Sequence, residues 1–192
     1  MGRKKGYVES EALEKAMLLF WQHGYAAIGM RQLADEMGIN PFSLYASFES
    51  KEALFARALD HYLETFIKGR MIRPLAVPAP NLASLRGFLE TFAATDDGTH
   101  PPGCFICNTM ADATSPAPEV QAVIDRYQRL LEGAFSALLR TEYPLADPRD
   151  IQARTALLLC LVIGISVRKR NGFEGRPAQV VVDEIMALTR LG

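Results

Sequence analysis

Apolar residues in the first part of the chain recur with the period of an α-helix. Leu13, Ala16, Met17 and Phe20 stand at i, i+3, i+4 and i+7, one face of an amphipathic helix that Gly24 closes. Met30, Leu33, Ala34 and Met37 repeat the spacing until Gly38-Ile39-Asn40 breaks it. Pro41 suits a first helical position, which needs no amide hydrogen, and Asn40 before it is a favoured N-cap. A short third helix should therefore run to about Phe48. Ser50 caps a longer fourth helix, with Phe55, Ala58, Leu59, Tyr62 and Phe66 as its apolar stripe. Arg73-Pro74 and Val77-Pro78-Ala79-Pro80 stop it and form a linker. Further helices are expected from about Leu82 to Ala94, Cys104 to Ala111, Pro118 to Arg140, Pro148 to Arg170 and Pro177 to Leu191, with breaks containing Pro or Gly between them. No segment alternates with period two for long, so the fold class is all-α.

The second and third helices have the spacing of a helix-turn-helix. Ala34 is small where two helices must cross closely. Gly38, four residues on, can take a left-handed turn conformation, and Ile39 and Leu44 can plug the gap between the helices. Spacing alone fits an ordinary helical hairpin as well.

Charge adds little to this picture. The 192-residue chain carries a formal net charge of −1, so no global positive excess draws it to nucleic acid. Its basic start is not followed by a signal-length apolar run, and Gly6 stands where a myristoylation motif wants Ser or Thr, so a cytoplasmic protein is expected. The greasiest stretch, Ala156 to Val167, is shorter than the roughly 20 residues of a membrane span and reads as a buried helix. Three cysteines without an export signal read as reduced thiols rather than a disulfide framework. His23, His61 and His100 are near no nucleophile motif, and neither a phosphate-cradling glycine loop nor a His-Glu-x-x-His is present, so neither an enzyme nor a cofactor is expected.

One resemblance sharpens the reading. The stretch Leu18-Leu19-Phe20-Trp21-Gln22-His23-Gly24-Tyr25, with Met30-Arg31-Gln32-Leu33-Ala34, Met37-Gly38-Ile39-Asn40, Ser43-Leu44-Tyr45 and Phe48-Glu49-Ser50-Lys51-Glu52-Ala53-Leu54-Phe55, resembles the DNA-binding domain of the tetracycline-repressor family. The resemblance covers about the first sixty residues. It implies a helix-turn-helix domain over residues 1–51, with a basic arm, followed by a helical effector-binding and dimerisation domain over 52–192. It also implies a homodimer on a palindromic double-stranded operator, released by a small-molecule or thiol-reactive effector.

Carried over by position, Arg31, Asn40, Pro41, Phe42, Ser43, Tyr45 and Ala46 should face DNA, and Tyr45 and Lys51 should meet phosphates. Arg3 and Lys4 match the basic arm of many relatives, which can follow the backbone or a narrow minor groove; a solubilising tail is the alternative. Relatives often carry a Thr or Ser pair before the second helix, but Ile28 and Gly29 stand here, which puts that phosphate anchor in question. Pro41 and Phe42 offer no side-chain donor, so base reading would use apolar contact with thymine methyls unless Phe42 packs inward.

Behind the linker the resemblance implies an effector cavity and a dimer made by the last two helices. Apolar residues nearly encircle the helix from Pro148, so one side should meet the core and another a partner. Leu158, Val162, Ile165, Val181, Ile185 and Leu188 are the interface candidates. Phe66, Phe88, Phe92, Cys104, Phe105, Asn108, Tyr127 and Phe135 are pocket candidates, each equally readable as core. Gly103-Cys104-Phe105-Ile106-Cys107-Asn108 resembles a Gly-Cys-x-x-x-Asn motif of one group of relatives. Near a helix N-terminus Cys104 would favour its thiolate, making Cys104 and Cys107 thiol-sensor candidates. With His100 the Cys-x-x-Cys lacks the four ligands of structural zinc, and no metal is expected.

Overall fold

In the computed structural model, which describes residues 7–94, 98–112, 117–173 and 175–190, helix ends fall where side chains can cap them. The front of the chain forms α1 (Glu9–His23), α2 (Met30–Met37), α3 (Pro41–Phe48) and α4 (Lys51–Tyr62). Asn40 caps α3 by accepting the Phe42 amide at 2.9 Å, and Ser50 caps α4 by accepting the Ala53 amide at 3.1 Å. Gly38 ends α2 at φ 69° and ψ 30°, the left-handed conformation that the turn demands. Ala34, Leu33 and Leu44 are fully buried where these helices cross, with Ile28, Ile39 and Phe48 around them.

The link between α3 and α4 is unusually tight. Ser50 donates its amide to the Phe48 carbonyl at 2.6 Å, closing a γ-turn centred on Glu49 at φ 62° and ψ −52°. Glu49 is the only non-glycine residue with positive φ among the described residues.

Beyond Tyr62 the helix does not stop but widens into a π-helical segment, Leu63–Met71, continued by the Ile72 amide bonding to the Ile67 carbonyl at 3.0 Å. The remaining elements are α5 (Leu82–Ala93), α6 (Phe105–Asp112), α7 (Pro118–Glu142), α8 (Pro148–Lys169) and α9 (Arg176–Leu188). The described residues contain no strand, in keeping with an all-helical class. Asn81 and Ser84 form a reciprocal capping box on α5, and Asp147 caps α8 through the Arg149 amide at 2.8 Å.

α4 joins the two parts of the fold because it packs on α1 in front and on α7 behind. A continuous core follows it, with Phe20, Tyr62, Phe88, Tyr127 and Phe135 each at most 1% exposed. Burial of each such ring stabilises the fold by roughly 2–3 kcal/mol. α8 is 22 residues long and contains an 18-residue stretch with a mean hydropathy of 1.7, long and apolar enough by composition to cross a membrane. It extends beyond the apolar run at both ends, and it packs against α5, α6, α7 and α9 with 39% of that stretch buried.

Candidate nucleic-acid interface and cavities

α3 is held from beneath and bare above. Leu44 and Phe48 are at most 2% exposed and anchor it, while Asn40, Phe42, Ser43, Tyr45 and Ala46 face outward and Pro41 is half-buried at the first turn. Phe42 is 86% exposed, so its inward-packing alternative is overturned. The sequence Pro41-Phe42-Ser43-Leu44-Tyr45-Ala46-Ser47-Phe48 leaves no other apolar position unburied except Ala46 and Tyr45, and the core beneath is already filled. Arg31 is exposed on α2. Tyr7 donates its hydroxyl to Ser47 at 2.6 Å, which brings the beginning of the chain beside α3. Arg3 and Lys4 lie outside the described residues.

Lys51, at the first turn of α4, is steered by its neighbours. Its ammonium sits 4.3 Å from the centre of the Tyr25 ring, a cation–π contact. The Tyr25 hydroxyl donates to Glu52 at 2.5 Å. Burial and then the Glu52 hydrogen bond push the Tyr25 phenol up to about 12, and that bond holds the Glu52 carboxyl below its usual range. The Tyr25–Glu52 pair therefore stays donor and carboxylate across physiological pH. Arg57–Glu9 and His61–Glu14 contacts, with Lys15 donating to the Met37 carbonyl at 3.1 Å, brace α1 against α4 and α2.

Cys104 and Asn108 flank a sharply constrained loop. Gly103 has φ 80°, and a Cβ there would lie 2.8 Å from the Ser166 carbonyl oxygen and 2.9 Å from Asn108 Oδ1, so no side chain fits. Asn108 donates to the Pro102 carbonyl at 3.1 Å, and the Cys104 amide donates to Ser166 Oγ at 2.7 Å. Burial pushes the Cys104 thiol up, yet hydrogen bonds from Cys107, Tyr62 and the backbone amides of Cys107 and Ile106 outweigh it and bring it down to about 7. Cys107, bonded to Cys104 and 3.3 Å from the Tyr127 hydroxyl, is pushed up instead by that Cys104 bond and by burial. The pair thus consists of one thiolate-prone sulfur and one protonated sulfur. Among the described residues no three His, Cys, Asp or Glu side chains gather as a metal site would need.

Two cavities adjoin these residues. One of about 330 Å³ is bounded by Trp21, Tyr62, Phe66, Phe92, Cys104 and Lys169, with others. A larger one of about 770 Å³ has Phe105 and Asn108 in its wall together with residues of the turn after α1. Of the pocket candidates, Phe66, Phe92 and Cys104 reach the smaller cavity, and Phe105 and Asn108 the larger. Phe88, Tyr127 and Phe135 reach neither. Phe88 stacks on Phe92 at 5.8 Å and meets Phe135 edge-on at 5.6 Å, as core rings do. The sequence reading missed Trp21, Tyr25, Phe55 and Arg170 as cavity residues; Trp21, four positions after Met17, carries only the signal of the α1 stripe.

The interface candidates need correction. Leu158, Val162, Ile165 and Ile185 are at most 3% exposed within the single chain, so they are already spent on its own core. Val181 is half-buried and Leu188 is 52% exposed. The outward apolar face of α8 is instead Leu157, Cys160, Leu161 and Gly164, one turn-spaced row, and α9 exposes Val180 and Leu188.

Residues 12–58 match the family model described as bacterial regulatory proteins, tetR family. The chain is 29% identical over 178 residues to the HTH-type transcriptional repressor ComR of Escherichia coli (strain K12), an alignment covering 89% of this chain and 83% of that protein. It is 31% identical over 144 residues to the uncharacterized HTH-type transcriptional regulator YezE of Bacillus subtilis (strain 168), covering 74% of each. Its fold superposes with a TM-score of 0.79 on a cysteine mutant of the TetR family transcriptional regulator CifR complexed with 26-bp double-strand operator DNA, at 26% identity over 97% of this chain and 98% of that one.

Proposed function

The chain belongs to the tetR family of bacterial regulatory proteins, and from that premise we propose that it is a homodimeric repressor whose α3 enters the major groove of a palindromic operator. It is a transcriptional regulator and not an enzyme. The observation that carries the DNA-binding reading is the uncovered outer face of α3, with Phe42 86% exposed above a fully buried Leu44. The operator complex of CifR, a protein of the same fold, supports it. Residues 1–51 supply this surface and 52–192 the dimer and the effector site.

On this reading Phe42 makes apolar contact with thymine methyls, while Ser43, Asn40, Ala46, Pro41 and Arg31 line the groove. Tyr45 and Lys51 grip phosphates, as Arg3 and Lys4 of the arm do, positioning the protein without reading sequence. The dimer pairs the Leu157, Cys160 and Gly164 row of α8 and Leu188 of α9 with their twins. Two α3 helices must stand about 34 Å apart to reach successive turns of DNA, and α4, shared by both parts of the fold, transmits any change in that spacing. An effector acts only by preferring one spacing.

A thiol-reactive effector is a second reading. It is favoured by one observation: Cys104, its thiol brought down to about 7, borders the smaller cavity.

The test is selection of bound fragments from genomic DNA, followed by gel retardation and mass measurement of the complex. Two protomers per selected site are expected. Tyr45→Ala with Lys51→Ala should weaken binding to every duplex by at least about ten-fold and flatten the salt dependence. A chain that retards no fragment at low salt, or a double variant with unchanged affinity and salt slope, overturns the reading.

A further inference from the structure

The outer face of α3 offers DNA almost nothing that hydrogen-bonds to a base edge. None of the residues Pro41–Phe48 is charged, so the helix lacks the guanidinium or ammonium that reads guanine, and it has no side-chain amide to read adenine. Asn40, at its cap, commits its carbonyl oxygen to the Phe42 amide at 2.9 Å and so gives up half of the amide fork that pairs with adenine. Ser47 accepts the Tyr7 hydroxyl at 2.6 Å. With Tyr45 turned to a phosphate in the proposed function, Phe42, Ser43 and Ala46 are left to meet base edges, and all three are exposed.

We propose that this apolar tip reads the C5-methyl group of pyrimidines, that it takes thymine and 5-methylcytosine alike, and that methylation of a cytosine at a read position therefore raises DNA affinity. The inference rests on α3 entering the major groove and deepens that reading by naming what the helix takes there.

Phe42 occupies the second position of α3, and the first turn of a reading helix is the part that reaches base edges. It is 86% exposed beside a fully buried Leu44, so its ring stands out from the body instead of joining the core. Ala46 lies one turn on, on the same face, and extends the apolar surface by a methyl group. Four residues of helix rise about 6 Å against roughly 3.4 Å per base pair, so the two side chains cover no more than about two adjacent pairs.

In the major groove the apolar feature that a base edge presents is the C5-methyl group. Thymine and 5-methylcytosine carry it; uracil and cytosine do not. What separates thymine from 5-methylcytosine is polar, an O4 acceptor in one and an N4 amino donor in the other. Ser43 is the polar group beside Phe42, and a hydroxyl donates to O4 or accepts from N4 equally well. The partner purines differ in the same polar way, and α3 has no charged or free amide group to read them. The bare face of α3 therefore does not tell the two methylated bases apart, whereas loss of one buried methyl changes affinity roughly four-fold.

The test starts from a duplex that the chain selects out of a random-sequence library. Each thymine of its half-sites is replaced in turn, symmetrically in both, to give uracil–adenine, 5-methylcytosine–guanine and cytosine–guanine pairs, and affinity is measured by gel retardation. At one or two positions per half-site, uracil and cytosine should each weaken binding at least about ten-fold, while 5-methylcytosine stays within about two-fold of thymine. Phe42→Ala should leave the melting curve and the salt dependence unchanged, weaken binding to the thymine duplex at least about ten-fold, and level the four pairs to within about two-fold. Phe42→Leu, which keeps an apolar contact, should restore the ranking.

A selected half-site without thymine, equal affinity for thymine and uracil at every position, or 5-methylcytosine as weak as cytosine overturns the inference and leaves DNA binding standing. So does a ranking that survives in Phe42→Ala, which would trace the methyl effect to groove shape instead of contact. A chain that retards no duplex at low salt overturns the proposed function, and this inference with it.

Discussion

Gly38 and Gly103 have nearly the same backbone, φ 69° and φ 80°, in opposite surroundings. Around Gly38 a Cβ would meet nothing within 4 Å, whereas at Gly103 it would strike the Ser166 carbonyl and Asn108 Oδ1. The contrast holds for the regions they stand in. In front of α4 the short α3 is cleanly two-sided, buried below and bare above, so that the proposed function is placed on a surface. Behind α4 the long helix α8 is apolar on several sides, the loop at Gly103 is packed against it, and the proposed functions are placed in cavities and on a face for a partner. A surface is built by leaving positions alone; a cavity needs close approach that few side chains permit.

The largest effect that sharpens this contrast is therefore at Gly103. Gly103→Ala combines a left-handed backbone with two sub-van-der-Waals contacts and should lower stability by about 3 kcal/mol or more in urea unfolding. Gly38→Ala meets only the backbone penalty and should cost about 1 kcal/mol. Equal losses at the two positions would erase the distinction. Next comes the outer face of α8 and α9. Leu188→Glu on an exposed position should leave the melting of the protomer intact and convert a dimer into a monomer by sedimentation, whereas Leu158→Glu, fully buried, should unfold the chain outright by burying an unpaired charge. A Leu188→Glu variant that remains dimeric would move the interface elsewhere.

A smaller effect concerns the cysteine pair. With its thiol near 7, Cys104 should be about one-tenth thiolate at pH 6 and about nine-tenths at pH 8, so alkylation by iodoacetamide should rise roughly ten-fold and then level off. An ordinary thiol near 8.5 would keep accelerating through pH 8 by roughly ten-fold per unit below its pKa. With the sites read separately by peptide mapping, since Cys160 is exposed, continued acceleration at Cys104 would return it to an ordinary thiol and no alkylation would assign it to the inert core.

Most helix boundaries were legible because they are written in single residues. Asn40, Ser50, Asn81 and Asp147 each accept an amide at a helix start, and Gly38 ends α2 as its position suggested. The exposed side of α3 came instead from the family resemblance, with Phe42 left open between surface and core, and the burial of Leu44 and Phe48 decides it. α8 had no single apolar phase. Its apolar residues nearly encircle it, and nothing in the pattern distinguishes Leu157, which faces out, from Leu158, which is fully buried. The π-helical segment was hidden as well, since Phe66 and Ile67 extend the α4 stripe under either winding. The larger cavity joins residues from five separated stretches, and only the tertiary arrangement of α1, α4, α6, α7 and the end of α8 brings them together.

The least change tests how the two regions are joined. Glu49 holds a γ-turn with φ 62°, a conformation that costs a non-glycine residue about 1 kcal/mol or more, and the turn fixes the angle between α3 and α4. Glu49→Gly removes that strain but frees more backbone in the unfolded chain, offsetting about half of the gain. A net stabilisation of about 0.5 kcal/mol is expected by urea unfolding. DNA affinity should move the other way, falling about three-fold, because a looser turn lets α3 tilt while Lys51 stays on α4. If the strain serves only to shorten the link, Glu49→Gly will gain stability and bind DNA unchanged. Loss of affinity together with gained stability identifies the turn as the device that sets the angle of the reading helix.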